Sequence, residues 1–201
     1  MTDWDLKDYQ AAILCGGRSL RMGRDKAFLK DKNGRLLLAA SAETLAGIFK
    51  QVHFITNEPA KLAPYPDLTA YPVWPDLHPL SGPAGAIRTA LKALPGQTVF
   101  ILAGDQPVIN ASIIKRLAAL MAREEADIAL PRRGQAIEPL YAFYGPKAEP
   151  VLAESLDRGR LAIRQSFPLL RTVYLELRDE EIFQNLNTPA EASARGFTLP
   201  P

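Results

Sequence analysis

Short apolar runs alternate with segments of helical period along most of this chain, and that alternation limits the fold more than any single motif. The runs "AAILC" (11–15), "VHFIT" (52–56), "TVFIL" (98–102) and "TVYLEL" (172–177) have the length of strands, and "DIAL" and "PLYAFY" are two further candidates. Residues 35–49 read as a helix with Leu38, Leu45, Ile48 and Phe49 near one face. "GPAGAIRTALKAL" (82–94) spaces Ile87, Leu91 and Leu94 at i, i+4 and i+7. The segment 110–126 opens on Asn110, a good N-cap, and carries a stripe of Ile113, Ile114, Leu117, Leu120 and Met121. Pro146 suits the start of a helix over 147–157, and shorter helices are expected over 160–167 and 188–196. Strands that alternate with helices form a mostly parallel sheet with helices on its faces. The chain therefore reads as α/β, a three-layer α/β/α, Rossmann-like arrangement.

The 201 residues suit a single domain over 1–201, with 1–8 expected as a loosely ordered N-terminal extension. A 47% hydrophobic and 23% charged composition is that of a globular protein, and a net charge of +2 makes no case for a nucleic-acid or membrane partner. Any basic site must be local. The lone cysteine, Cys15, excludes an intrachain disulfide and a Cys-rich zinc centre. The start "MTDWDLKDYQ" has neither the basic region nor the apolar core of a signal peptide, so the expected setting is cytoplasmic. The Pro-rich stretch 59–83 reads as a long loop with one strand over 69–74, and loops of that length are often functional.

Such a local basic site follows the first strand, in "LCGGRSLRMGRDKAFL" (14–29). Ligands of open α/β sheets bind beyond the carboxyl ends of the strands. Gly16 and Gly17 let backbone N–H groups approach a ligand with no Cβ in the way. Arg18, Arg21 and Lys26 add charge-assisted hydrogen bonds to phosphate oxygens. The spacing is neither that of a Walker A loop nor a G-x-G-x-x-G fingerprint. A solvated basic turn is the alternative. "TVFILAGDQP" then puts Asp105 just past a buried strand, where a carboxylate suits Mg²⁺, although D-x-P is also plain turn chemistry.

With both features in view, the chain resembles the molybdenum cofactor guanylyltransferases, members of the nucleotidyltransferase fold. The family motif L-x-G-G-x-x-x-R-M-G-x-D-K is met by Leu14, Gly16, Gly17, Arg21, Met22, Gly23, Asp25 and Lys26. "SGPAGAIRTAL", which includes Gly82, is similar to the family's G-P-x-x-G-I helix start, "EPLYAFY" to its strand motif, and "NLNTPAE" to its late N-x-N-T-P. The resemblance implies transfer of GMP from GTP to the terminal phosphate of molybdopterin, with release of pyrophosphate. It implies Mg²⁺, replaceable by Mn²⁺, on Asp105, and phosphate contacts from Lys26 and Arg21 or Arg18. Leu14, Cys15 and Gly16 would meet base and sugar through backbone atoms, and Asn57 and Asp76 match the guanine- and ribose-side residues. Asn185 and Asn187 resemble the pair near the metal and the acceptor phosphate. Transient contact with molybdoenzyme apoproteins or cofactor chaperones would follow. The rival readings are a cytidylyltransferase for the same cofactor, a sugar-phosphate nucleotidyltransferase, and a non-catalytic carrier.

Other conspicuous residues read as structural first. Cys15 suits packing at a strand end, and His53 an apolar strand. Trp74 packs beneath its loop or lies against a substrate ring. His78 is a surface histidine or a substrate contact. Arg132 and Arg133 suit a solvated turn, with an acceptor-phosphate contact as the alternative. Arg158, Arg160 and Arg164 suit helix surfaces, and Glu138 a supporting role in its strand motif.

Overall fold

A computed structural model describes residues 5–16, 28–178, 186 and 188–198. The strands are β1 (Gln10–Leu14), β2 (Gln51–Thr56), β3 (Val73–Pro75), β4 (Val99–Ala103), β5 (Ile128–Arg133), β6 (Ala136–Ile137), β7 (Tyr141–Tyr144) and β8 (Thr172–Glu176). The α-helices are α1 (Leu37–Ile48), α2 (Pro66–Thr69), α3 (Gly82–Ala93), α4 (Ala111–Arg123), α5 (Ala148–Asp157) and α6 (Pro189–Ala194). The sheet order is β3-β2-β1-β4-β7-β5-β6, with β8 paired to β5.

Strands β1 to β4 are mutually parallel, with Leu14 beside Ile55 on one side and Ala103 on the other. Strand β7 is antiparallel to both β4 and β5, so β5 and its parallel partner β8 again run with β1. Among the described strands, only β6 and β7 oppose the common direction. Strand β4 sits at the centre, buried at all five positions, which is why "VFILA" is apolar throughout rather than alternating.

The strands bury a different set of side chains on each face. Ala11, Ile13, Phe54, Phe100, Leu102 and Phe143 lie under α1 and α4. Ala12, Leu14, Ile55, Ile101, Ala142 and Tyr144 lie under α3 and α5. On the first face Phe100 stacks on Phe49 at 5.3 Å and meets Tyr141 edge-on at 5.2 Å. Full burial of each such ring contributes on the order of 1.5–3 kcal/mol. Asn110 caps α4 as its position suggests, accepting at Oδ1 from Ser112 N (3.0 Å) and Ile113 N (3.2 Å). Ala118 completes the buried stripe, and Leu120 is only half-buried.

Four expectations need correction. Residues 5–8 are not a loose extension: Leu6–Asp8 form one 3₁₀ turn with Leu6 only 4% exposed. Lys7 Nζ there donates to Ala46 O (2.9 Å) and Phe49 O (3.1 Å), satisfying carbonyls at the end of α1. The 59–83 stretch is more ordered than a loop, with a 3₁₀ turn at Pro59–Lys61, α2, and a strand at Val73–Pro75 rather than 69–74. Proline at the first helical turns starts both helices. The helix expected over 160–167 is a 3₁₀ segment, Ile163–Leu169, with Pro168 inside it. Strand β6 has no counterpart among the sequence expectations.

Candidate active site at the carboxyl edge of the sheet

Because β1 to β4 are parallel and in register, their carboxyl ends share one edge. The order along it is Asp76 after β3, Asn57 after β2, Cys15 and Gly16 after β1, and Asp105 after β4. Backbone bonds knit these turns together: Asp76 N to Thr56 O (2.8 Å), Cys15 N to Ile55 O (2.9 Å) and Gly104 N to Leu14 O (2.9 Å). A Cβ on Gly16 would sit 3.1 Å from Asn57 N, and one on Gly104 would sit 3.0 Å from Leu14 O. At both positions a Cβ would press on backbone, so a larger residue needs the turn to give by a few tenths of an ångström. Three strand spacings separate Asp76 from Asp105, roughly 14 Å, too far for both carboxylates to serve one ion.

The Asp76 end is braced by side chains. Asp76 Oδ1 accepts from Thr89 Oγ1 (2.8 Å) and from His78 N (2.9 Å). His78 Nε2 accepts from Arg88, whose Nε also donates to Glu149 of α5 at 3.0 Å. A guanidinium has only donors, so the His78 proton sits on Nδ1. A Cβ at Gly85 would come within 2.9 Å of His78, so the loop lies tight on α3. Within it Leu80, 78% exposed, has φ +77°, a conformation that costs a leucine energy. Gly82 opens α3 at φ +61°, and its helix N-terminus belongs to this end of the edge.

Beneath that end, Trp74 Nε1 donates to His53 Nδ1 (3.2 Å), and His53 Nε2 meets Gln10 Oε1 at 2.7 Å. The indole can only donate, so His53 is neutral with its proton on Nε2. Burial holds its pKa below the usual 6.5. His53 is structural, as expected, and Trp74 leans on it while staying 40% exposed.

At the other end Asp105 is half-buried, and the next residue, Gln106, is 1% exposed. Gln106 N bonds Ala103 O at 3.1 Å, and Leu186 N approaches Asp105 O at 3.4 Å. Among the described residues no group of three His, Cys, Asp or Glu side chains could hold a metal. A single hard carboxylate suits a magnesium-type ion that takes its other ligands from phosphate and water, and suits zinc poorly.

The structure thus brings Leu14, Cys15, Gly16, Asn57, Asp76, Gly82 and Asp105 to one edge. Gly17, Arg18, Arg21, Lys26, Asn185 and Asn187 lie outside the described residues. Cys15 is buried, with Sγ 3.6 Å from Ile55 O, and packs rather than reacts. Arg132 and Arg133 are not a turn but the end of β5, paired with β6, where Arg132 also pairs with Glu176 and covers the Tyr174 ring at 4.5 Å; Arg158 pairs with Glu154. Sequence reasoning passes over Thr89, Arg88 and Gly104. Thr89 sits among apolar helix positions, and its only signal is a β-branched hydroxyl inside a helix.

A parallel sheet whose strands end in glycine turns and acidic loops is the architecture of nucleotide-handling α/β enzymes. Residues 11–172 match the MobA-like NTP transferase domain. The molybdenum cofactor guanylyltransferase of Syntrophotalea carbinolica is 32% identical over 190 residues, covering 91% of this chain and 88% of that protein. The crystal structure of molybdopterin-guanine dinucleotide biosynthesis protein A from Archaeoglobus fulgidus superposes with TM-score 0.79 at 22% identity, covering 93% and 96% of the two chains. The manganese complex of a Mycobacterium tuberculosis protein shares the fold with TM-score 0.65 at 14% identity, covering 94% and 98%. The chain belongs to the MobA-like NTP transferase family and is a nucleotidyltransferase. No helix among the described residues is long and apolar enough to cross a membrane.

Proposed function

We propose that the enzyme transfers GMP from GTP to the terminal phosphate of molybdopterin. An acceptor phosphate oxygen attacks the α-phosphorus, the bond to the α–β bridging oxygen breaks, and pyrophosphate leaves with the electron pair. The observation that carries this reading is the pair of aspartates about 14 Å apart on one strand-end edge, with the Gly16 turn between them. That spacing suits a ligand with donor groups at one end and phosphates at the other.

The nucleophile is already ionised at neutral pH, so no side chain need activate it. Catalysis then rests on positioning and charge neutralisation. Asp76 and Asn57 take the base and ribose side, and Leu14, Cys15 and Gly16 offer backbone atoms to the same part of the nucleotide. Gly17, Lys26, Arg21 and Arg18 serve the phosphates, and Asn185 and Asn187 the acceptor side. Asp105 would hold Mg²⁺, or Mn²⁺ in its place, which when bound supplies charge neutralisation on the phosphates. The proposed setting is cytoplasmic, with cofactor chaperones or molybdoenzyme apoproteins as transient partners and no membrane or nucleic acid.

The test is pyrophosphate release from GTP, CTP or ATP with molybdopterin and Mg²⁺. Turnover with GTP at least about tenfold above CTP supports the reading, since a matched hydrogen-bonding edge is worth that much. Preference for CTP would convert it to the cytidylyl reaction, and no turnover with any nucleotide would leave a carrier.

A further inference from the structure

Thr89 is 2% exposed on α3, and its hydroxyl reaches beyond its own helix as well as the Gly85 carbonyl one turn back. Its Oγ1 lies 2.8 Å from Asp76 Oδ1, 3.0 Å from Leu77 N and 3.0 Å from Gly85 O. The hydroxyl has one proton. Donation to a carboxylate is charge-assisted and stronger than donation to the Gly85 carbonyl, so the proton goes to Asp76. The hydroxyl oxygen then accepts from Leu77 N. One side chain thus fixes both the carboxylate and the backbone of the residue after it.

With His78 N also on Oδ1, both lone pairs of that oxygen are taken. Among the described residues Oδ2 receives no hydrogen bond. A valine would fill the same space, and a β-branched residue inside a helix is not chosen for helix stability. The brace from Arg88 to His78 and Glu149 holds the rest of the loop, so the carboxylate is fixed from two directions.

We infer that Thr89 is a positioning residue for nucleotide recognition: it saturates one oxygen of Asp76 and leaves the other to accept from the donor groups of the nucleotide. The donors of that class are a guanine N1–H and N2–H₂ edge, or a pair of ribose hydroxyls. This rests on the reading of Asp76 as a nucleotide contact. Asp76 therefore offers a single oxygen rather than a bidentate fork.

The test compares wild type, Thr89→Val, Thr89→Ser, Asp76→Asn and the Asp76→Asn/Thr89→Val double variant. Thr89→Val should raise the KM for GTP about tenfold and leave kcat within about twofold. Thr89→Ser, which keeps the hydroxyl, should restore it. In the double variant the two effects should not add, because Thr89 acts through Asp76. In ligand-free Thr89→Val, the amides of Leu77 and His78 should exchange faster with deuterium, and melting temperatures show whether each variant folds. A wild-type KM in Thr89→Val, no rescue by serine, or additive effects would overturn the inference. If Asp76→Asn binds GTP as wild type does, the nucleotide role of Asp76 falls and the inference with it. Amide exchange in Thr89→Val still reports on its own whether Thr89 holds the loop.

Discussion

Asp76 and Asp105 occupy equivalent places in the fold, each just past the end of a parallel strand and each in a turn tied by backbone to the neighbouring strand, yet the Asp76 turn carries an added brace from the helices. The turn at Asp76 is tied by side chains from two helices: Thr89 and Arg88 on α3, and Glu149 on α5. The turn at Asp105 carries the backbone bonds of Gly104 N to Leu14 O, Gln106 N to Ala103 O and Leu186 N to Asp105 O, and the Gln106 side chain accepts from Val108 N. A side-chain brace can be retuned by one substitution without moving the sheet. At Gly104 the fit is against the sheet backbone, where a Cβ would sit 3.0 Å from Leu14 O. The Asp76 end of the edge thus has a helix-borne brace that a single substitution can reach.

The contrast can be broken most directly at Asp105. Asp105→Asn should lower kcat on the order of 10²–10³-fold while the protein stays folded, as loss of one preorganised charge contact does. Pyrophosphate release against Mg²⁺ concentration measures it, and near-normal turnover would remove the metal role. Lys26→Ala should show a loss of the same order in the same assay. Asp76→Asn should act on the other parameter, raising the KM for GTP about tenfold with kcat within a few-fold. A change confined to kcat would erase the difference between the two ends.

Two smaller effects sharpen it. Asn110→Ala removes the cap of α4, the helix that follows the Asp105 loop, and should cost about 1 kcal/mol in urea unfolding. Equal stability would mean the cap is redundant. His53 lies under the Asp76 end, buried and neutral. Its folded pKa is lowered from 6.5, so the unfolded chain binds the proton first. The stability tied to neutral His53 is full above about pH 6.5 and is lost as pH falls toward and through its lowered folded pKa. His53→Gln should flatten the fall in unfolding free energy on that acid side, and an unchanged slope would assign the pH dependence to other groups.

The legibility of each element in the sequence depends on the kind of signal that carries it. The principal helices and strands β1, β2 and β4 are carried by long periodic or apolar segments, and their bounds agree within a residue or three. Strand β6 has two residues and no period, so only the turn at Gly134 and Gln135 before it can be read, from a glycine that adopts φ +59°. The reversed direction of β7 cannot be read either, since "YAFY" is buried on both faces and an apolar run has no arrow. The prolines of 59–83 read as loop markers, whereas at Pro59 and Pro66 they start helices. At the site, Asp105 and Gly16 are visible because strand ends in α/β chains are. Thr89 is not, because its bond to Asp76 crosses 13 residues and two turns.

From the order of its residues alone, this chain determined its principal strands and helices, that the sheet is largely parallel, and which strand-end residues are candidates for chemistry. These follow from local periodicity, capping and turn preferences, which act over a few residues. Only the tertiary structure decided the direction of β7, the shared edge that sets Asp76 and Asp105 three strands apart, and the partner of each buried polar atom. Those depend on which strands pair and on how α3 lies against the sheet, and packing between distant segments has no local signature.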